Sequence, residues 1–117
     1  MTTLQQLTED EIESMPAGDD LDWLVFRYVI CPDEYRNEML WDRRRNYNND
    51  WRGYSTNITL AWQVAERLRL FIIPFGKTEW ACTNKRSNIG FENIVVAYTA
   101  PLAICRVAIR TVRDSQF

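Results

Sequence analysis

The sequence predicts one α+β domain over residues 1–117, in which a small antiparallel sheet of three or four strands lies between helices on both faces. Three observations predict it. The chain has 117 residues, close to the commonest size of a single domain. Its predicted elements follow the order helix, helix, loop, helix, three strands, helix. The predicted strands are joined by short turns, which favours antiparallel pairing.

Two helices open the chain. Thr8 and Glu11 form a capping-box pattern at the start of the first helix. The second helix covers residues 21–30, and we expect Asp19 or Asp20 to be its N-cap. Almost its whole circumference is apolar, so it must be buried inside the domain or against another subunit.

Residues 33–53 show no sustained hydrophobic period, which predicts a long loop. This segment holds Trp41, Tyr47 and Trp51 together with three consecutive arginines at 43–45. Exposed aromatic residues reduce solubility unless something covers them. We therefore expect a lid over a ligand or a contact with another subunit. The arginines either hold phosphates or are simply solvated.

The second half of the chain contains a helix, the sheet and a last helix. The third helix ends near Leu68, with Ser55 or Thr56 as its N-cap. The last helix runs from about Pro101 to about Asp114. Between them lie three predicted strands and one polar hairpin loop: Leu70 to Ile73, Glu79 to Thr83, the loop over 84–90, and Glu92 to Tyr98.

The composition favours a binding protein over an enzyme. The chain has five Trp, five Tyr and five Phe but no histidine, which excludes Ser-His-Asp and Cys-His catalysis and histidine-ligated zinc. Its three cysteines lack a CxxC spacing, which is typical of reduced thiols rather than of a metal cluster. The acidic N-terminus is unlike a signal peptide and no apolar run is long enough to span a bilayer, so we expect a cytoplasmic protein.

Charge is unevenly distributed along the chain. Residues 1–30 carry seven acidic residues and one basic residue, whereas the remainder is net basic. One interpretation is an acidic, solvated face on the first helices. The other is that the acidic segment faces away from a basic surface that meets an anionic ligand.

Three segments resemble the phage ABA sandwich domain family. They are AGDDLDWLVFRYVI (17–30), YSTNITLAWQVAERL (54–68) and TAPLAICRVAI (99–109), about 40 of the 117 residues in all. The family pattern resembles AG-x-x-LD-x-LV, then YST-x-x-x-x-AW, then TA-x-LA-x-CRA. Val107 departs from this pattern, since the family usually has Ala there, and the central loop does not align.

The resemblance implies both a fold and a function. It implies helices on either side of a sheet. It also suggests an anti-defence role, since some similar phage proteins act as sponges that bind cyclic nucleotide signals such as cyclic GMP–AMP and block CBASS-type immunity. A cyclic dinucleotide requires flat groups for stacking, cations or N–H groups for phosphate, and hydrogen bonds to base edges. We therefore expect a cyclic nucleotide ligand, no cofactor, no metal and no turnover.

The motif segments supply most of the candidate ligand-binding residues. At the third helix, Tyr54, Ser55 and Thr56 offer hydroxyls beside a helix N-terminus, or Ser55 and Thr56 are ordinary caps. Trp62 either lines a pocket or belongs to the core. Arg106 either pairs with a phosphate or forms a salt bridge to an N-terminal acidic residue.

Four further candidates lie outside these positions. Thr99 is a helix cap or a ligand hydroxyl, and Trp51, Arg52 and Arg45 belong to the arginine-rich loop. Cys105 is expected to be a packing residue.

Three further expectations concern partners. The apolar second helix, and the sponges that the chain resembles, favour a homo-oligomer, dimer or tetramer. A net charge of −2 argues against DNA or RNA as partners. The alternative function is a non-catalytic phage interaction module that binds a host protein, whereas a carboxylate- and metal-dependent phosphodiesterase is disfavoured because the acidic residues look like helix caps.

Overall fold

The computed structural model describes residues 4–87 and 90–115. A short 3-10 turn, Leu4–Gln6, precedes five α-helices, and α2 continues into one π-helical turn, Phe26–Ile30. The helices and strands are, in chain order, α1 (Glu9–Ser14), α2 (Asp19–Val25), α3 (Glu38–Tyr47), α4 (Ile58–Leu68), β1 (Phe71–Phe75), β2 (Glu79–Thr83), β3 (Lys85–Ser87), β4 (Gly90–Glu92), β5 (Val95–Ala97) and α5 (Ala100–Ser115).

The main sheet is antiparallel and has three strands in the order β1-β2-β5. Trp80 on β2 lies opposite Pro74 on β1 and Ala97 on β5, which fixes the register on both sides. Strands β3 and β4, which follow β2 and precede β5 in the sequence, form a separate two-stranded antiparallel sheet. The predicted α+β class and the antiparallel sheet are therefore confirmed.

Helix α5 is the centre of the molecule. It packs against β2 and β5 on one side and against α4, α2 and α1 on others. The sheet face that contacts it carries Cys82 and Val95, both buried. On the opposite face, Phe91 of the β3–β4 hairpin contacts Phe71, with ring centroids 5.3 Å apart. Because α5 touches most other elements, the 16 residues of this one helix organise the core.

The predicted apolar second helix is buried within the chain. Leu21, Trp23, Val25, Phe26 and Val29 are all buried, and both α2 and the π-helical turn pack against α5. The protein's own core therefore covers this helix, and its apolar circumference no longer supports self-association.

Several local predictions were wrong. Residues 33–53 are not one loop, because α3 occupies the middle of the segment with Asn37 as N-cap. Helix α2 is preceded by Gly18, not capped by an aspartate side chain. Helix α4 begins later than expected, and its N-cap is Asn57, whose side chain accepts hydrogen bonds from Thr59 and Leu60. The expected polar loop over 84–90 contains β3 and the start of β4, while its residues 88 and 89 lie outside the described residues.

Other local predictions hold. The capping box of Thr8 and Glu11 is present at α1. Strand β2 has the predicted bounds, and α5 extends one residue beyond the prediction at each end. At α5, the Leu102 amide donates to Thr99 Oγ1 at 3.3 Å, so Thr99 is a helix cap, which is one of the two roles predicted for it.

All three cysteines are free thiols. Cys82 and Cys105 are fully buried, and burial raises the pKa of Cys82 to about 12 and that of Cys105 still further. Cys31 is half-buried. Among the described residues, no helix combines the length and apolar character that crossing a membrane requires.

Candidate ligand-binding site

A buried carboxylate joins α2 to the segment before α4. Asp22 is 3% exposed, and its Oδ1 accepts hydrogen bonds from the Ser55 amide at 2.7 Å and the Ser55 hydroxyl at 2.6 Å. Its Oδ2 accepts from the Gly53 amide at 2.8 Å, and the Gly18 amide donates to Ser55 Oγ at 2.9 Å. We call Gly18, Asp22, Gly53 and Ser55 the Asp22 network. Its hydrogen bonds satisfy a buried charge that would otherwise be strongly destabilising.

Gly53 has a backbone requirement of its own in this network. Its φ is +101°, a conformation that other residues rarely adopt, and a Cβ there would lie 3.1 Å from Leu60 Cδ1. A glycine therefore allows the chain to turn so that both amides reach Asp22.

Tyr54 belongs to the same buried region. Its side chain is buried, which raises its pKa, and its main-chain carbonyl accepts a hydrogen bond from Cys105 Sγ at 3.2 Å. Neither Tyr54 nor Ser55 presents a hydroxyl at a helix N-terminus, because α4 begins at Ile58. Thr56 is exposed, and its hydroxyl faces the Gly53 carbonyl at 3.4 Å.

The tryptophans of the 33–53 segment are core residues, not a lid. Trp41 and Trp51 are buried and both pack edge-on against Trp23, with ring centroids 5.8 and 5.5 Å away. Their indole N–H groups donate to the main-chain carbonyls of Tyr35 and Arg45. Of the three aromatic residues predicted to form a lid or a subunit contact, Tyr47 alone is exposed.

The predicted arginines Arg45 and Arg52 pair with acidic residues. Arg45 binds Asp20 at 2.8 Å, and Arg52 binds Asp19 at 2.7 Å. The Arg52 guanidinium also lies over the Trp51 ring, 4.4 Å from its centroid. These arginines neutralise the acidic start of α2. The idea that the acidic segment faces away from a basic surface was therefore wrong.

Arg106 forms no salt bridge with an acidic residue in the described part of the chain. Its Nε donates to the Met15 main-chain carbonyl at 2.8 Å, which ties α5 to the end of α1. Burial lowers the pKa of this guanidinium, and the nearby charge of Glu13 opposes that effect. The predicted salt bridge to an N-terminal acidic residue is therefore replaced by a main-chain hydrogen bond.

Trp62 and Thr99 are two predicted site residues that line the same groove. The groove measures about 400 Å³ and lies between α4, the main sheet and the start of α5. We call it the aromatic groove, and its lining consists of Ile58, Trp62, Ile72, Trp80, Tyr98, Thr99, Ala100 and Pro101. None of these eight residues carries a charge.

Three rings of the groove are exposed. Trp62 is 52% exposed, Trp80 37% and Tyr98 78%. Trp62 follows Ile58 by one helical turn, so both lie on one face of α4. Trp80 lies on β2 opposite Ala97, and Tyr98 directly follows Ala97 at the end of β5. A planar ligand can stack in such a groove, since aromatic faces attract flat rings.

A second depression adjoins the aromatic groove at Trp62, which lines both. It measures about 550 Å³, and its lining is Trp62, Ala65, Glu66, Arg69, Leu70 and Phe71. Arg69 is exposed and, within the part of the chain that the structure describes, forms no ion pair. The Trp62 indole thus lies between an uncharged groove and a depression whose guanidinium is unpaired among the described residues.

A third cavity combines arginines and aromatic rings. It measures about 300 Å³, and its lining is Leu7, Met15, Asp20, Trp23, Leu24, Arg27, Tyr28 and Arg45. Arg45 is neutralised by Asp20, and Arg27 donates to both carboxylate oxygens of Glu38. Because both guanidiniums have carboxylate partners, this cavity is a poorer anion site than its composition indicates.

Sequence reasoning missed Ile58, Trp80, Tyr98 and Arg69. Side chains alternate along a strand, so Trp80 lies on the same face of β2 as Cys82. Unlike the buried Cys82, Trp80 is partly exposed. Tyr98 directly precedes the Thr99 cap, which was the available signal for a side chain at the sheet edge. Only strand pairing and the position of α4 bring these residues to Trp62.

A family model described as Phage ABA sandwich domain matches residues 21–109, which include the Asp22 network except Gly18, and the whole aromatic groove. A search of curated proteins and a search of solved structures each found no match.

Proposed function

The chain belongs to the phage ABA sandwich domain family, and on that premise we propose that this phage protein binds and sequesters a cyclic nucleotide immune signal in its aromatic groove without cleaving it. The ligand is a cyclic dinucleotide such as cyclic GMP–AMP, captured in the host cytoplasm. One observation carries the proposal: Trp62, Trp80 and Tyr98 expose their rings around one groove.

Base stacking supplies the affinity. Stacking a base on an aromatic side chain is worth ~1–3 kcal/mol. The groove volume lies within the range of small-molecule sites and accommodates a base with its sugar. Exposed tryptophan rings reduce the solubility of an isolated protein, and a stacked base covers them.

The phosphates have two places to bind on either side of Trp62. In the adjoining depression, Arg69 offers a guanidinium that has no carboxylate partner among the described residues. At the other side, the positive N-terminal end of α5 and the Thr99 hydroxyl favour a phosphate oxygen. Pro101 has no N–H group, so α5 contributes fewer donors than most helix starts.

The chemistry of the groove favours retention over turnover. Its lining holds the hydroxyls of Tyr98 and Thr99 but no carboxylate, amine or thiol beside them to act as a base. A bound phosphodiester is therefore held next to groups that do not activate a nucleophile.

Calorimetry with a panel of cyclic di- and trinucleotides tests the proposal. Trp62→Ala and Arg69→Gln are expected to weaken binding, whereas Tyr47→Ala and Arg67→Gln are matched exposed controls that lie outside both depressions. The ligand recovered after heat denaturation of the complex should be intact. Absence of binding to every cyclic nucleotide, or recovery of hydrolysed ligand, would overturn the proposal.

A non-catalytic interaction module is the second candidate, and the uncharged lining of the groove favours it. An apolar groove with exposed aromatics also fits a host protein or a second copy of the chain in a dimer or tetramer. Light scattering measures the oligomeric state. Stoichiometric capture of one host protein that Trp62→Ala abolishes, with nucleotides inert, would select this candidate.

A further inference from the structure

A polar cavity of about 460 Å³ lies at the other end of α5. Its lining consists of Glu9, Glu13, Asn84, Lys85, Asn93, Ile94, Arg110 and Asp114. Arg110 is ten residues beyond Ala100, so about 15 Å of helix separates this cavity from the aromatic groove. It is therefore a separate place on the molecule.

Arg110 is buried and has no carboxylate partner among the described residues. It is 5% exposed, and its Nη2 donates to the main-chain carbonyl of Asn93 at 2.5 Å. A guanidinium has five N–H donors, and this is the single hydrogen bond that Arg110 forms within the described residues. No fully enclosed side-chain nitrogen in the described part of the chain lacks a partner. The remaining donors of Arg110 therefore reach the cavity.

The neighbouring Arg113 shows what a satisfied arginine looks like at this position. It donates to the Leu7 carbonyl at 3.0 Å and binds Glu9 at 2.8 Å and Asp114 at 2.9 Å. Two of the three carboxylates that line the cavity are therefore already neutralised by Arg113. Arg110, one turn earlier on α5, has no such partner in the part of the chain that the structure describes.

Lys85 adds a second cation to the cavity. Its ammonium forms no ion pair with any described residue. The amide side chains of Asn84 and Asn93 line the same space and can donate further hydrogen bonds. Glu13 is the lining carboxylate that Arg113 does not bind, and its charge opposes a strongly anionic ligand.

We propose that Arg110 and Lys85 form a binding site for a singly charged oxyanion that presents two oxygens on one centre. The planar guanidinium matches such a group with two parallel hydrogen bonds. A phosphodiester and a carboxylate both have this chemistry. Doubly charged anions bind less well, because Glu13, the carboxylate that Arg113 does not bind, lines the same cavity.

Titrations followed by ¹H–¹⁵N NMR at constant ionic strength test this site. The probes are dimethyl phosphate and acetate, which separate a phosphodiester source from a carboxylate source, and sulfate as a doubly charged comparison. We expect saturable shifts of the Lys85, Asn93 and Arg110 signals with at least one of the first two probes, and weaker binding of sulfate.

Surface variants keep the test independent of folding. Lys85→Gln should weaken binding about tenfold, which is about 1.4 kcal/mol, and Lys77→Gln in the β1–β2 turn is the matched control. Glu13→Gln should strengthen binding because it removes a like charge. Arg110→Gln should abolish saturation if circular dichroism shows that it folds.

Three results would overturn the site: no saturable shifts with dimethyl phosphate or acetate, equal affinity in Lys85→Gln and the parent, or tighter binding of sulfate than of both monoanions. None of these measurements involves the aromatic groove. The oxyanion site and the proposed function can therefore fail separately.

Discussion

The Asp22 network and the aromatic groove both take residues from the segment 54–68 but have opposite characters. Asp22, Ser55 and Cys105 are buried and bind each other's segments, whereas Trp62 and Thr99 from those same segments face solvent. Residues in one motif therefore divide between holding the chain together and presenting a surface. The comparison teaches that membership in a motif does not make a residue part of a binding site.

Replacement of Asp22 is the largest expected effect and tests the buried half of the comparison. Asp22→Ala leaves two main-chain amides and one hydroxyl without their acceptor. We expect a loss of about 3–5 kcal/mol in the free energy of unfolding, measured by urea denaturation.

Asp20→Ala is the matched control on the same helix. Asp20 is exposed and forms a surface ion pair with Arg45, so the expected loss is below about 1 kcal/mol. Equal losses for the two aspartate variants would show that the Asp22 network does not hold α2 in place.

Truncation of Trp62 tests the exposed half. Since a stacked base is worth ~1–3 kcal/mol, Trp62→Ala should weaken cyclic nucleotide binding about five- to 150-fold by calorimetry. Its free energy of unfolding should change by less than about 1 kcal/mol, because the side chain is half exposed. If Trp62→Ala loses stability but retains ligand affinity, Trp62 is a core residue and not part of the binding groove.

Ser55 and Thr56 are adjacent in sequence but differ in environment. Ser55 belongs to the Asp22 network, whereas Thr56 is exposed and lies outside both the network and the groove lining. Ser55→Ala removes a buried hydroxyl bonded to Asp22 and should cost about 1–2 kcal/mol of unfolding free energy. Thr56→Ala, at an exposed position, should cost below about 0.5 kcal/mol. Neither should alter ligand affinity, and a loss of affinity in Ser55→Ala alone would make the Asp22 network part of the site.

The smallest expected effect belongs to a surface pair outside both regions. The hydrogen bond from Arg27 holds the pKa of Glu38 below its usual range. A depressed pKa in the folded state stabilises the protein above the pKa of the unfolded state, and that contribution is lost as pH falls through the folded value. Glu38→Gln should therefore flatten the acid limb of the stability–pH curve by less than about 1 kcal/mol, as urea unfolding at several pH values will measure. An unchanged curve would show that the pair contributes nothing.

Local signals predicted the elements that depend on local chemistry. The Thr8 capping box, the bounds of β2 and the Thr99 cap follow from side chains within a few residues. Helix α3 escaped prediction because Trp41 is its single buried residue, so no hydrophobic period exists. The start of α4 was misplaced because Asp22, 33 residues earlier in the chain, takes the Ser55 hydroxyl that a local analysis assigns to a cap.

The candidate site could be predicted only in part for the same reason. Trp62 and Thr99 stand in recognisable motif segments. Trp80, Tyr98 and Arg69 reach the same neighbourhood through strand register and through the position of α4 against the sheet, and these contacts have no local signature.

The three thiols allow local opening of the core to be measured by their rates of chemical labelling. Cys82 and Cys105 sit on the sheet and on α5 with no exposed surface and with raised pKa values, and the thiolate is the form that reacts with alkylating reagents. Their rates of labelling therefore report how often the β2–α5 contact opens, residue by residue. Cys31 is half exposed at the end of the π-helical turn, so it reacts first. Its labelling rate is the internal reference against which the rates of the two buried thiols are compared.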